Sequence, residues 1–343
     1  MPIRLLPSRR ALLAVLLALV PAPSFAEGPV PDGAARTKLL VGFQDWTLPE
    51  TVAASGVLAG APYDIQWVVL PGPAAQLSAL YSKAIDIGHM GDTSLIIEQG
   101  KAKAPWTPEA VPLQIVAGWR ATDAQYPPIV TVGRTAAGVN ALADLRGRTW
   151  AYNFGGFNYL QYVLSTLKAG FGPKDYEPVQ LADQNATSAA FLAGRVDGFS
   201  GSAIVVAEAI ERGTAKVLVT SDDLDIPALN VLTARGDVLR DPVKKAALSD
   251  FLARLRRHWD WFSANTGKVE SLLVEKLKQT PARAKISTAY LKASFQPLDD
   301  ALIRREQRIA DVLFEAKAIP NKIDVTVEFS RDFNAATAPS AQN

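Results

Sequence analysis

Gly198-Phe-Ser-Gly-Ser202 lies where a short apolar run meets a helix-like segment, and it comes within one residue of the G-x-S-x-G elbow that presents a nucleophilic serine. Its fifth position is Ser, so the motif fails, and a hydrolase using Ser200 stands only as a rival reading. Such a serine needs a base within hydrogen-bond reach, and the chain has two histidines, His89 and His258. His258, beside Trp259 in an amphipathic stretch, reads as a helix-face residue. His89 falls near a candidate cleft, where a packed or hydrogen-bonding imidazole is the alternative to a base. Cys is absent, which removes disulfides, thiolate nucleophiles and thiolate metal sites together. There is no H-E-x-x-H, P-loop or G-x-G-x-x-G, and Asp222-Asp-Leu-Asp225 lacks the spacing of a calcium loop and reads as a solvated turn. No catalytic residue, metal or cofactor is expected.

Binding chemistry is better represented. Asn153-Phe-Gly-Gly-Phe-Asn158 opens a helical stretch, and Gly155 and Gly156 would let backbone N–H groups approach an anion at a helix N-terminus. The alternative is a tight turn and nothing more. Arg120 offers a bidentate contact to an oxyanion, or an ordinary surface ion pair. Trp46, Trp119 and Phe157 could wall an apolar tail or pack in the core. Gln44 and Asp45 follow the first strand, and Gly91, Asp92 and Thr93 follow the third, where Asp92 and Thr93 also suit helix capping. Ser200 and Ser202 fall between a strand and a helix, with capping as the alternative to a ligand contact.

These residues need a frame of strands and helices. Lys38–Phe43, Ile65–Leu70 and Ile85–Gly88 read as short buried strands with helices at Leu48–Leu58 and Gly72–Ser82 between them, which predicts parallel pairing. After Leu113–Trp119 and Ile129–Val132 the alternation restarts: strands at Thr149–Asn153, Pro178–Leu181, Val196–Phe199, Lys216–Val219 and Ala228–Ala234, with helices at Asn158–Ala169, Gln184–Leu192 and Ala203–Glu211. From Asp241 onward the pattern is helical, Leu248, Phe251, Leu252, Leu255 and Trp259 recurring at three- and four-residue steps.

Length and composition bound the class. A chain of 343 residues has room for two domains, and 48% hydrophobic against 20% charged residues excludes a disordered chain. With a net charge of +2 and no long block of one sign, the basic footprint of a nucleic-acid binder is missing. Residues 1–26 read as a signal peptide: Arg4, Arg9 and Arg10, an apolar run from Ala11 to Val20, and Ser24-Phe25-Ala26 at the cleavage site. The run is too short for a spanning helix. Loss of those three arginines and no acid takes the charge from +2 to −1. Ser8-Arg9-Arg10 is also compatible with twin-arginine export.

Leu142-Ala-Asp-Leu-Arg-Gly-Arg-Thr-Trp-Ala151, Asn153–Asn158 and Ala189-Ala-Phe-Leu-Ala-Gly-Arg-Val-Asp-Gly198 resemble the second lobe of periplasmic substrate-binding proteins of ABC importers, the sulfonate, taurine and nitrate group above all. Val41–Asp45, Pro71–Leu80 and Ile85–Asp92 are similar to that group's first lobe. The resemblance, from about Lys38 to Ala318, implies an α/β fold: a two-lobed periplasmic binding protein (type II) clamshell. Each lobe would be a mixed, mostly parallel sheet flanked by helices. Lobe 1 would be 37–123 and 232–330, lobe 2 would be 124–231, and 331–343 a flexible tail. Two crossovers, near Ala121 to Ile129 and Pro227 to Val231, would form the hinge. The implied ligand is a small organic anion, a sulfonate before nitrate or a pyrimidine-like solute. The implied partners are that solute and a membrane ABC permease, with a periplasmic location, a monomeric state and no nucleic acid. Open α/β sheets bind at the carboxyl ends of their strands, so the expected ligand residues are Gln44, Asp45, Trp46, Gly91, Asp92, Thr93, Trp119, Arg120, Asn153, Gly155, Gly156, Phe157, Asn158, Ser200 and Ser202. In this context the glycines are preferred as an anion cradle. One departure is Phe199-Ser-Gly-Ser-Ala-Ile204, where the group often carries a Trp-x-x-Trp-Asp-Pro-like segment, and it leaves the ligand's organic part open.

Overall fold

The computed structural model describes residues 36–122, 127–154 and 156–339. The expected signal segment and Gly155 lie outside them. The first apolar run forms β1 (Thr37–Phe43), with Leu39 and Val41 fully buried. α1 (Thr47–Ser55), β2 (Tyr63–Val69), α2 (Gly72–Tyr81), β3 (Ile87–Gly91) and α3 (Thr93–Lys101) follow. β1 pairs in parallel with both β2 and β3, the pairing that strand–helix–strand connections give. β4 (Leu113–Ala121) leads out to β5 (Ile129–Arg134), and a second alternation begins there: β6 (Thr149–Asn153), α4 (Gly156–Lys168), β7 (Glu177–Leu181), α5 (Gln184–Leu192), β8 (Gly198–Ser202), α6 (Ala207–Glu211) and β9 (Ala215–Thr220). β10 (Asn230–Arg235) returns to the first sheet. α7 (Gly236–Arg240), α8 (Pro242–Ala264), α9 (Thr266–Glu275), α10 (Pro281–Leu291), β11 (Ala293–Gln296), α11 (Asp300–Glu315) and α12 (Asn334–Thr337) complete the order.

Two sheets result, β11-β4-β10-β3-β1-β2 and β7-β6-β8-β5-β9, each with flanking helices. The α/β fold expected from the sequence is borne out. Parallel pairing is confined to one side of each sheet, because the strands that cross between lobes enter antiparallel: β10 against β3 and β4, and β5 against β8 and β9. α8 lays Leu248, Phe251, Leu252, Leu255, Trp259 and Phe262 into the core of the six-stranded lobe. Asp241 starts it, accepting from Val243 and Lys244 N–H at 2.9 and 3.1 Å with Pro242 in the first turn.

Five expectations are corrected. The fourth strand of lobe 2 runs from Gly198 to Ser202 rather than Val196 to Phe199, so Ser200 and Ser202 are strand residues. Gly198 and Gly201 are spacing residues in this central strand, since a Cβ at Gly198 would meet Leu145 at 2.6 Å and one at Gly201 the Phe199 ring at 2.5 Å. The helix expected over Ala203–Glu211 is a 3₁₀ turn at Ala203–Val205 followed by the short α6. The stretch after Asp241 is not purely helical, because β11 adds an edge to the first sheet beside β4. The tail does not fray through 339: Phe333 is buried, and the Asn334 side chain exchanges hydrogen bonds with the Leu298 backbone at 3.2 and 3.3 Å. The 231/232 boundary also falls inside β10, which belongs wholly to the six-stranded sheet.

Candidate functional site

A cavity of about 340 Å³ is lined by both lobes. From the six-stranded lobe come the end of β1 and the first turn of α1 (Phe43, Gln44, Asp45, Thr47), His89 of β3, Trp119 of β4, Asn230 of β10, and a helical wall of Trp259, Phe262, Arg283, Ser287 and Tyr290. The five-stranded lobe supplies Phe157 of α4, Gln184 and Asn185 at the start of α5, and Ser202, Ile204 and Val205 after β8. Thus α1 and α5, from opposite lobes, both present their first turns to the cavity, and their dipoles favour negative charge there.

His89 is sandwiched between Phe43, at a ring-centroid distance of 4.0 Å and 13° from coplanar, and Trp119, at 5.3 Å and 16°. Its Nε2 lies 3.2 Å from Asn230 Oδ1, while Nδ1 is buried without a partner. Burial pushes its pKa down to about 4, so the ring is neutral at neutral pH and acts as an aromatic surface. His258, directly behind Trp259, is fully buried and is pushed down by burial to about 3.

Arg283 is the one cation among the described residues that line the cavity. Thr280 caps α10 by accepting from Arg283 N–H at 3.2 Å, with Pro281 in the first turn. The guanidinium reaches across to donate to the Ile204 carbonyl of the other lobe. It forms no ion pair with a carboxylate among the described residues. Burial draws its pKa down, opposed chiefly by the charge of Glu208, and an arginine remains protonated regardless. On the same wall, Trp259 Nε1, Ser287 Oγ and Gln279 Oε1 are buried without a partner. The first two can donate and the Gln279 oxygen accepts, and buried polar atoms of this kind are costly unless something completes them.

Of the residues expected at the site, Gln44, Asp45, Trp119, Phe157 and Ser202 line this cavity. Others do not. Trp46 is half-exposed at the start of α1. Asp92 is buried and holds the return crossover, accepting from Leu229 N–H at 2.7 Å and from Thr93 N–H at 2.7 Å; Thr93 is buried beside it. Arg120 is ion-paired with Asp222, the surface alternative. Asn153 accepts from Asn158 Nδ2 at 3.1 Å, and the same amide donates to Gln184 Oε1 at 3.0 Å, so this pair orients a lining residue without lining the cavity itself. Gly156 has φ +63° and packs near Ser94, a turn that needs glycine. Gly91 makes room for Phe157, whose ring would lie 2.3 Å from a Cβ there. Ser200 is fully buried, 2.7 Å from Thr131 Oγ1 and accepting from Trp150 Nε1 at 2.9 Å, which removes it as an accessible nucleophile.

The residues missed lie chiefly on α10. Arg283, Ser287 and Tyr290 recur at i, i+4 and i+7, a polar stripe opened by Thr280-Pro281, and that spacing was readable. Asn230 and Gln184 carried no local signal.

Known proteins share this fold. The family model described as NMT1/THI5 like matches residues 110–267. A homologue from Escherichia coli (strain K12), named as an aliphatic sulfonates-binding protein, is 24% identical over 307 residues, covering 84% of this chain and 86% of its own. The alkanesulfonate-binding protein SsuA from Xanthomonas axonopodis pv. citri, bound to MOPS, superposes with a TM-score of 0.72 at 20% identity, over 87% of this chain and 99% of that one. The desulfurization enzyme DSZB shares the fold at a TM-score of 0.60 and 15% identity, over 88% of this chain and 99% of that one. The fold is that of periplasmic binding proteins, and the resemblance read from the sequence is borne out. No helix among the described residues is long and apolar enough to cross a membrane.

Proposed function

We propose that this protein is an exported solute-binding protein that captures a small sulfonate and delivers it to a membrane ABC permease. The observation that carries the reading is Arg283: a cation on the wall of an interlobe cavity, with no carboxylate partner among the described residues, beside the unpartnered Trp259 N–H and Ser287 O–H. Together with the first turns of α1 and α5 they form a donor set suited to an oxyanion that carries several acceptor oxygens. The named activities of the two sulfonate-binding relatives point the same way. Because lining residues come from both lobes, a ligand bridges them, and closure about the crossovers near 121–129 and 221–229 is the working step. Residues 1–26 direct export to the periplasm, and the closed, monomeric form is what the permease engages. The rival hydrolase has little to stand on, with Ser200 buried and committed to Thr131 and Trp150.

The test is a thermal-shift screen of ligand-stripped protein against alkanesulfonates, taurine, aromatic sulfonates, nitrate, carboxylates and pyrimidines. A ligand at 100 times its Kd adds about 2.7 kcal/mol, several degrees in a chain of this size. Hydrogen bonds to charged groups contribute about 1.5–3 kcal/mol, so Arg283→Gln should weaken the active sulfonate roughly 10- to 150-fold. A shift only with pyrimidines, or none with any sulfonate, sinks the reading.

A further inference from the structure

Resting on the sulfonate reading, we infer that the solute is an arylsulfonate, with the oxyanion held at Arg283, Ser287 and the Trp259 N–H and the ring held by the aromatic walls. The first ground is size. At about 340 Å³ the cavity equals roughly eleven times the ~30 Å³ that one water occupies in the liquid. Nitrate, methanesulfonate or taurine would leave much of it unfilled, and unfilled apolar space forfeits contacts. A benzenesulfonate-sized ion occupies much more of it.

The second ground is the chemistry of the walls. Phe43, His89 and Trp119 form one near-parallel stack in the six-stranded lobe. Phe157 enters from the other lobe, and Trp259 and Phe262 join from α8. His89, with a ring stacked on each face and neutral through burial, adds no charge. Flat aromatic walls on both lobes match the faces and edges of a planar ring better than those of a narrow alkyl chain.

The third ground is the shortage of counter-charge for a cationic tail. Among the described lining residues the one carboxylate is Asp45, which is exposed and already accepts from Thr47 N–H at 2.7 Å. An aminosulfonate would bring its ammonium to neutral acceptors such as the unpartnered Gln279 Oε1, or out to that single solvated group, and a buried ammonium without a counter-charge is costly. An aryl ring carries no such group.

The experiment is isothermal titration of ligand-stripped protein with benzenesulfonate, p-toluenesulfonate, methanesulfonate, butanesulfonate and taurine, on wild type, Phe157→Ala and Phe157→Leu, each variant checked for an intact melting transition. The expected result is arylsulfonate binding at least about tenfold tighter than any alkanesulfonate, and a roughly 5- to 10-fold loss for arylsulfonates in Phe157→Ala that exceeds the loss for methanesulfonate. Butanesulfonate or taurine binding as tightly as the aryl ions overturns this inference and leaves the sulfonate reading standing. Failure of every sulfonate overturns both.

Discussion

Gly91 packs against Phe157 of the other lobe, and replacing it with alanine tests whether that contact belongs to the closed state. A Cβ at Gly91 would lie 2.3, 2.8 and 3.0 Å from three carbons of the Phe157 ring. Ordinary carbon contacts begin near 3.5 Å, so ring and strand must separate by about 1 Å. The φ of Gly91 lies outside the left-handed region, so the methyl group adds no backbone strain and the penalty falls on the lobe–lobe contact. Overpacking of this size costs about 1–3 kcal/mol, charged to closure alone if the lobes part in the ligand-free protein. Gly91→Ala should then weaken ligand binding roughly 5- to 150-fold while the ligand-free melting temperature moves by less than about 2 °C. Titration calorimetry and a ligand-free thermal melt read the two quantities separately. The double variant Gly91→Ala/Phe157→Ala removes the clash, so its affinity should equal that of Phe157→Ala and not fall further. A ligand-free melting temperature that drops while affinity holds would refute the reasoning, since Phe157 would then be ordinary packing.

Three further outcomes follow from buried polar groups. Ser200→Ala leaves Thr131 and Trp150 short of a partner in the core and should destabilise by about 1–3 kcal/mol, read as a lowered melting temperature with ligand affinity retained; a variant as stable as wild type would contradict that role. His89 and His258 are both depressed, to about 4 and about 3, so each is neutral when folded and takes up its proton preferentially when unfolded. Their contribution is therefore present above the usual histidine pKa of about 6.5 and is lost as pH falls from there toward 4; imidazole resonances followed by NMR should show no titration above about pH 5, and a midpoint near 6.5 for either would disprove the burial argument. Asp92, Glu306 and Glu328 are buried, and burial with their acidic neighbours raises both glutamates well above the carboxylate range. Raised folded values mean stability that is full below the unfolded pKa and declines as pH rises through the folded ones. Glu328→Gln should thus melt above wild type at pH 8, with the difference vanishing near pH 4; equal melting temperatures at both would refute it.

Much of the frame was legible because it rests on local chemistry. The strand–helix alternation, the buried stripe of α8 and the restart after Ile129 follow from apolar spacing at periods of two and 3.6. Where the reading slipped, small residues were the cause. Ser200 and Ser202 read as the link between a strand and a helix, yet with Gly201 they belong to a central strand, where Phe199 and Trp150 occupy the space that larger side chains would need. Likewise Phe333 looked like part of a tail with nothing to bury, and it is covered by the same core as α8. At the candidate site, Gln44, Asp45, Trp119, Phe157 and Ser202 were found because strand ends and helix starts converge in such folds.

By itself the sequence determined the class of molecule: a cysteine-free α/β chain, near neutral in charge, built from two alternating units. It also narrowed the chemistry to oxygen, nitrogen and aromatic surface. Only tertiary structure decided which of those groups share a cavity. Arg120 and Arg283 are indistinguishable as residue types, but one is neutralised by Asp222 while the other, 163 positions later, stands on the cavity wall without a carboxylate partner among the described residues. That choice depends on α10 being folded back against the cleft by long-range packing, and no local pattern of residues encodes the distance between a helix at one end of the chain and strands at the other.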